Sequence, residues 1–261
     1  MRRLLKNELR KMFSSKYFWF VILLGCGITG WHFVQYVLPR EINDAMPDDV
    51  YKCWIGASSF KMQTYWYFLF LPLWAVMPYA GNYFEEQRDG YFKNIITKTT
   101  RKNWFTSKGI ALWLSGGLGV TVPLIFNFLL TACRLPLLKP EPYNELGPNV
   151  SSLGVELYYE HPLIYTILFL MIDFMVGGCI ALSVALLTNI VEYKFVALLI
   201  PYGFYYILYT VSMYMETTVI EPSYYLVPGN GFENVLSLGL LLGYCIIVII
   251  LYIGMAWKYE E

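Results

Sequence analysis

Charge is what this sequence has least of. Asp, Glu, Lys and Arg make up 15% of it, against roughly a quarter in a soluble domain. The two signs cancel to a formal net charge of zero, so no basic excess points to a nucleic-acid partner. Histidine occurs twice, at His32 and His161. The five cysteines, Cys26, Cys53, Cys133, Cys179 and Cys245, are scattered, with no pair at metal-ligand spacing. No metal or haem site is expected from that pattern. The sequence has no Gly-x-x-x-x-Gly-Lys-Ser/Thr phosphate loop, so it does not bind ATP in that way. No internal repeat of the inverted-transporter kind stands out.

What is present is apolar surface in long runs: 57% of the 261 residues are hydrophobic. A bilayer-spanning helix needs about 20 mostly apolar residues. Six runs meet that: Phe18 to Leu38, Thr64 to Phe84, Gly109 to Thr131, Leu163 to Ile190, Phe195 to Tyr214 and Val235 to Trp257. The expected fold is all-α, a single transmembrane domain over 1–261 with six crossings. Pro72, Pro78, Pro123 and Pro201 fall inside the runs, where a membrane helix tolerates proline as a kink. Before the first run, Leu4, Leu5, Leu9, Met12 and Phe13 take one half of a helical wheel, and Arg3, Lys6, Arg10 and Lys11 the other. That predicts an amphipathic helix over 1–16 lying in the lipid interface. Leu23-Leu24-Gly25-Cys26 faintly resembles a lipoprotein cleavage box, but the leader is long and the apolar run continues past Cys26; cleavage is not expected.

Basic residues set the orientation. Both termini, the Glu85–Lys108 segment and the fourth-to-fifth turn hold fourteen of the nineteen lysines and arginines. Arg40, Lys52, Lys61, Arg134 and Lys139 are left on the other side. The excess places both termini in the cytoplasm and makes the chain a multi-pass cell-membrane protein. The outer stretches, about Pro39–Gln63 and Ala132–Pro162, are acidic and long enough for a small cap. They contain Cys53 and Cys133, which either pair or remain free thiols, and a formal glycosylation sequon at Asn149-Val150-Ser151.

The segment Glu85-Glu86-Gln87-Arg88-Asp89-Gly90-Tyr91-Phe92-Lys93-Asn94-Ile95-Ile96 is the most informative. Acids close the second run, a glycine breaks the chain, and a short helix with an apolar face follows. Arg101, Lys102 and Lys108 then lead into the third run. One reading is a loop whose charges anchor two helix ends. The other is a docking helix whose apolar face enters a groove on a cytoplasmic partner. This segment resembles the loop of the type-2 ABC transporter permeases. The matching residues are Glu85, Glu86, Asp89, Gly90, Lys93, Asn94, Ile95, Ile96, Arg101 and Lys108. Tyr91 stands where the family usually has threonine. The resemblance implies a permease subunit that dimerises, with itself or with a second permease. It also implies a separate nucleotide-binding ATPase subunit that holds the ATP and magnesium, leaving no cofactor and no catalytic residue in this chain. The coupling residues it implies are Glu85, Glu86, Asp89, Gly90, Phe92, Ile95, Ile96 and Arg101.

Gly116-Gly117-Leu118-Gly119, the set Gly177, Ala181 and Ala185, and the pair Gly239 and Gly243 sit inside apolar runs, where small residues let helices approach closely. Asp173 is the one acid in mid-run. A charge there is costly, so it must face protein or water, as part of a path or as a packing group. The second and fifth runs are rich in Tyr, Trp and Phe. Some of these rings form an interfacial belt. In the family the resemblance points to, these two spans border the path between subunits, so Trp66, Phe70, Trp74, Tyr202, Tyr205, Tyr206 and Tyr209 become path candidates with Asp173. Aromatic walls without a basic band suit an amphipathic or hydrophobic peptide. Small drugs, lipids or sodium are the alternative cargoes, and a secondary transporter the alternative class. A glutamate-dependent intramembrane protease does not fit, because Arg88 comes too early after Glu85-Glu86 and His161 lies on the other side.

Overall fold

A computed structural model describes residues 1–40, 48–57, 61–88, 100–140, 148–149 and 151–258. It is helical throughout, with no strand among the described residues beyond one isolated bridge between Leu153 and Phe232. The N-terminal amphipathic helix is present as α1 (Arg2–Ser14). Ser15 turns extended, and α2 (Lys16–His32) follows, prolonged by a wider π-helical turn over Phe33–Val37. A short helix α3 (Val50–Cys53) precedes the segment of the second run.

That segment is not one helix. It forms three in series: α4 (Met62–Leu69), α5 (Leu71–Val76) and α6 (Ala80–Arg88). Proline has no N–H and clashes with the carbonyl four residues back. Pro72 and Pro78 therefore break the ladder at two places: the backbone leaves helical dihedrals at Phe70, and the regular helix gives way to a turn across 77–79. The carbonyl that Pro72 orphans belongs to Phe68. The Tyr205 hydroxyl donates to that oxygen at 2.9 Å, so the break is satisfied from another helix. Most side chains along the segment are buried, among them Tyr67, Phe68, Leu71, Trp74, Tyr79, Tyr83 and Phe84, while Met77 is exposed.

The later elements are α7 (Arg101–Arg134), α8 (Val155–Glu160), α9 (Pro162–Leu187), α10 (Lys194–Met215), α11 (Pro222–Tyr225) and α12 (Val235–Lys258). Among the described residues, five helices are long and apolar enough to cross a bilayer. They are α2 with its π-turn, α7, α9, α10 and α12, and they make this a multi-pass membrane protein.

Helices α7 and α9 form the centre, and the others pack around them. The two meet backbone to backbone: a Cβ on Gly177 would lie 2.9 Å from the Gly116 carbonyl oxygen, and Ala181 stands beside Gly116. The expected close approach at Gly116 and Gly177 is therefore real. Gly239 and Gly243 behave otherwise. A Cβ added at either position on α12 would meet nothing within 4 Å among the described residues, so they mark no close helix crossing there.

At the end of the bundle away from Met1, the connecting stretches are sewn into a cap. Gly229 N–H donates to the Gly56 carbonyl at 2.7 Å, and Leu153 N–H to Phe232 at 2.7 Å. The Tyr165 hydroxyl donates to the Pro228 carbonyl at 2.9 Å. Asn127 in α7 binds the cap from below, accepting from Ile55 N–H at 2.8 Å and donating to the Thr29 carbonyl at 2.6 Å. Cys53 is buried, Cys133 is exposed, and both are free thiols.

The Tyr205 contact gives the first prediction. Tyr205→Phe leaves the Phe68 carbonyl buried and unpaired, a loss of about 1–3 kcal/mol. Tyr202→Phe, whose ring lies three residues earlier on the same helix, should cost less than about 0.5 kcal/mol. Unfolding midpoints in detergent, followed by tryptophan fluorescence, compare the two. Equal shifts would mean that the hydroxyl does not hold the break.

Candidate functional site

The Glu85–Lys108 stretch begins on α6 and ends on α7, and the ends of those two helices meet in a buried ion cluster. Its centre is Lys108, fully buried in the second turn of α7. The Lys108 ammonium lies 2.5 Å from Glu8 Oε2 and 2.7 Å from Glu86 Oε2. It also donates to the Tyr79 hydroxyl at 2.9 Å, and that hydroxyl donates to Glu8 Oε2 at 2.8 Å. Lys11 closes the ring, 2.9 Å from Glu86 and 3.2 Å from Glu8. Two carboxylates face two ammonium groups, so the cluster is neutral, as burial requires.

Four elements supply it: α1 gives Glu8 and Lys11, the break between α5 and α6 gives Tyr79, α6 gives Glu86, and α7 gives Lys108. Helix α7 runs Arg101–Arg134, about 50 Å at 1.5 Å per residue, which is longer than a hydrocarbon core of about 30 Å. Its first two turns can therefore carry charge while Gly109 onward stays in the apolar layer. Burial alone would raise the Glu8 carboxyl, but Lys108, Tyr79 and Lys11 outweigh it and hold it below its ordinary 4.5. Burial would likewise lower Lys11, and Glu86 and Glu8 instead raise it above 10.5.

A second set of contacts ties α6 to the turn between α9 and α10. Gln87 donates to Asn189 at 2.7 Å and accepts from Thr188 at 2.8 Å. Arg88 donates to the Val191 carbonyl at 3.3 Å, and Glu85 pairs with Lys194 at 2.5 Å. Of the coupling candidates, Glu85 thus faces Lys194 at the rim and Glu86 faces the buried cluster. Asp89, Gly90, Phe92, Ile95 and Ile96 lie outside the described residues, as does the Arg101 side chain.

The path candidates divide into two groups. Trp66 stacks on Phe70 at 5.4 Å between centroids, and Phe70 on Tyr202 at 5.7 Å. Tyr202, Tyr206 and Tyr209 continue the ladder along α10. Tyr65 closes it with a 2.7 Å hydroxyl contact to Tyr209. Trp66 and Tyr206 are 41% and 46% exposed, so this ladder is a surface. The other three face inward. Trp74 donates its indole N–H to the Tyr67 carbonyl at 3.0 Å, and Tyr205 serves the helix break. Asp173 is wholly buried, and neither of its oxygens has a hydrogen-bond partner among the described residues. Tyr67 and Tyr205 are within electrostatic reach of it. Beside Tyr205, a cavity of about 380 Å³ opens between α9, α10 and α12, with Ile180, Leu208, Leu241 and Tyr244 in its wall.

Sequence reasoning missed Glu8. The signal was present: in a leader with one acid, that acid falls four residues before Met12, on the face that turns out to be buried. No family model, curated protein or solved structure matches the chain.

The cluster predicts a pH profile. Because the Glu8 carboxyl is depressed, its contribution is complete above about 4.5 and is lost as pH falls through the lowered folded value. Because Lys11 is raised, its contribution is complete below about 10.5 and is lost as pH rises through the raised value. The contribution of these two groups should therefore be flat between those limits, falling on the acid side with Glu8 and on the alkaline side with Lys11. Glu8→Gln should lower the neutral plateau and remove its share of the acid limb, so the two curves converge at low pH. Parallel curves for wild type and Glu8→Gln in a pH series of thermal midpoints would contradict this.

Proposed function

We propose that this chain is the membrane-spanning permease subunit of an ABC exporter. In this reading α4–α6 make the sixth crossing, both termini are cytoplasmic, and 85–108 is the coupling element for a separate ATPase subunit. The observation that carries it is the seating of that element. Its two stems, Glu86 and Lys108, are in direct ionic contact, and a third member, Glu8, binds α1 to the same point. A push on residues 89–99 is therefore delivered to α6, α7 and α1 together. The ties from Gln87, Arg88 and Glu85 carry the same push to the base of α10. Helix α10 bears the aromatic ladder, so the mechanical route leads from the loop to the presumed path.

The cargo proposed is an amphipathic or hydrophobic peptide, exported as a toxin or in self-protection. The support is chemical. The Trp66–Tyr209 ladder offers ring faces and hydroxyl groups along one surface, and the cavity beside Tyr205 is apolar and of side-chain size. A permease dimer is part of the reading, with the path between two copies of that surface.

A second reading, a secondary transporter, has one observation in its favour: Asp173 is a buried acid without a hydrogen-bond partner among the described residues, the kind of group proton-coupled carriers use. One experiment separates them. Phe92→Glu with Ile96→Glu should cut substrate-stimulated ATP hydrolysis by the reconstituted complex at least tenfold, with Asp173→Asn leaving it near wild type. Full ATPase coupling in the loop variant would remove the assignment of 85–108. Loss of transport in Asp173→Asn together with loss of dependence on a proton gradient would favour the carrier.

A further inference from the structure

The outer face of α1 carries charge of one sign and has no ion-pair partner among the described residues. Between Met1 and Lys16 the one acid is Glu8, and it is turned inward onto Lys108 and Tyr79. Glu8 and Met12 mark the buried face of the helix. At 100° per residue, Arg2, Arg3, Lys6 and Arg10 fall on the opposite arc. All four are exposed, and none makes an ion pair among the described residues. Lys11 alone of the helix's basic residues is consumed by the cluster.

The flank of this arc is apolar. Leu9 is half-buried and Phe13 is exposed, and Tyr17, Trp19 and Phe20 continue the exposed aromatic surface into the first turn of α2. The Trp19 indole donates to the Phe13 carbonyl at 2.7 Å, fixing the corner. Only Ser15 separates α1 from the first spanning helix, so α1 is held at the level where that helix leaves the bilayer.

We propose that this face of α1 is a docking surface for anionic phospholipid headgroups. Charge complementarity selects the sign: four cations in one arc, none of them in an ion pair among the described residues, attract phosphates that carry net negative charge. The apolar flank selects a lipid over an acidic protein. An acidic protein surface would neutralise the arginines and leave Phe13, Tyr17 and Trp19 in water, whereas a bilayer takes the rings into its acyl boundary and presents phosphates just above them. The Glu8–Lys108 contact contributes the orientation. By drawing the one acid inward, it leaves the outward face wholly cationic and prevents the helix from rolling. The surface recognises headgroup charge, so it holds whether or not the chain is an exporter.

The test uses the purified full-length chain in phosphatidylcholine bilayers with spin-labelled phosphatidylglycerol or phosphatidylcholine as probe. Electron spin resonance reads the lipid held in the first shell. At low salt the anionic probe should be enriched, by roughly fivefold for each basic residue that engages a headgroup. The enrichment should fall towards unity near 1 M salt, where the screening length is about 3 Å. R2Q/R3Q/K6Q/R10Q should lose most of it, and R134Q/K139Q should keep it. Wild type with no low-salt preference overturns the proposal without reference to any variant. So does a folded quadruple variant with wild-type preference, which would assign the arc to something other than lipid.

Discussion

A lysine ammonium buried between two carboxylates governs one whole end of this molecule. Lys108 has no exposed surface, and an unpaired charge in that position would cost several kcal/mol even after relaxation. The fold therefore has to bring Glu8 and Glu86 to it. Glu86 cannot arrive unless the 62–88 segment turns at Pro78, and Glu8 cannot arrive unless the chain turns at Ser15. The Tyr79 hydroxyl bridges Lys108 and Glu8 because the turn that breaks the helix also delivers the ring. Removing any one member strands the others, and the arrangement is accordingly all or none.

The same logic runs through the rest of the bundle, with hydrogen bonds in place of charges. Pro72 strands a carbonyl, and Tyr205 supplies the donor. The cap segments carry backbone groups that need partners near the end of α7, and Asn127 answers with both ends of its amide. These buried contacts join segments far apart in sequence. They leave the stacked rings from Trp66 to Tyr209 on the surface, free to meet lipid, a second copy or cargo. Asp173 is the exception: it is sealed among spans, and no partner answers it among the described residues.

Much of this was legible in the sequence, and the failures have physical causes. Apolar run length located α2, α7, α9, α10 and α12 because length is what a bilayer demands. It could not show that 62–88 is three helices, since a single proline, as at Pro123 or Pro201, leaves its helix continuous. Two prolines less than two turns apart remove donors at successive turns and end it. Small residues announced the α7–α9 crossing correctly at Gly116 and Gly177, yet the same pattern at Gly239 and Gly243 meets open space. A missing side chain permits contact and does not supply a neighbour. Of the path candidates, Trp66, Phe70, Tyr202, Tyr206 and Tyr209 share one ladder, whereas Trp74 and Tyr205 turn inward. Composition does not say which face of a helix a ring takes. Glu8 was hidden for the opposite reason: its face was readable, but its partner lies on a helix far along the chain.

The central claim is that Glu8 and Lys108 act as one unit, and a double-mutant cycle tests it most directly. Glu8→Gln, Lys108→Gln and the double variant would be unfolded chemically in the same bilayer mimetic. Lys108→Gln should be the costlier single change, about 3–5 kcal/mol, because it removes the fully buried cation and leaves Glu8 and Glu86 with the half-exposed Lys11 alone to offset both charges. The double variant should recover at least about 1.5 kcal/mol relative to the sum of the singles, within the range for residues in contact. Effects that add to within about 0.5 kcal/mol would show that the two groups do not hold each other, and the account of a shared anchor for α1, α6 and α7 would fail.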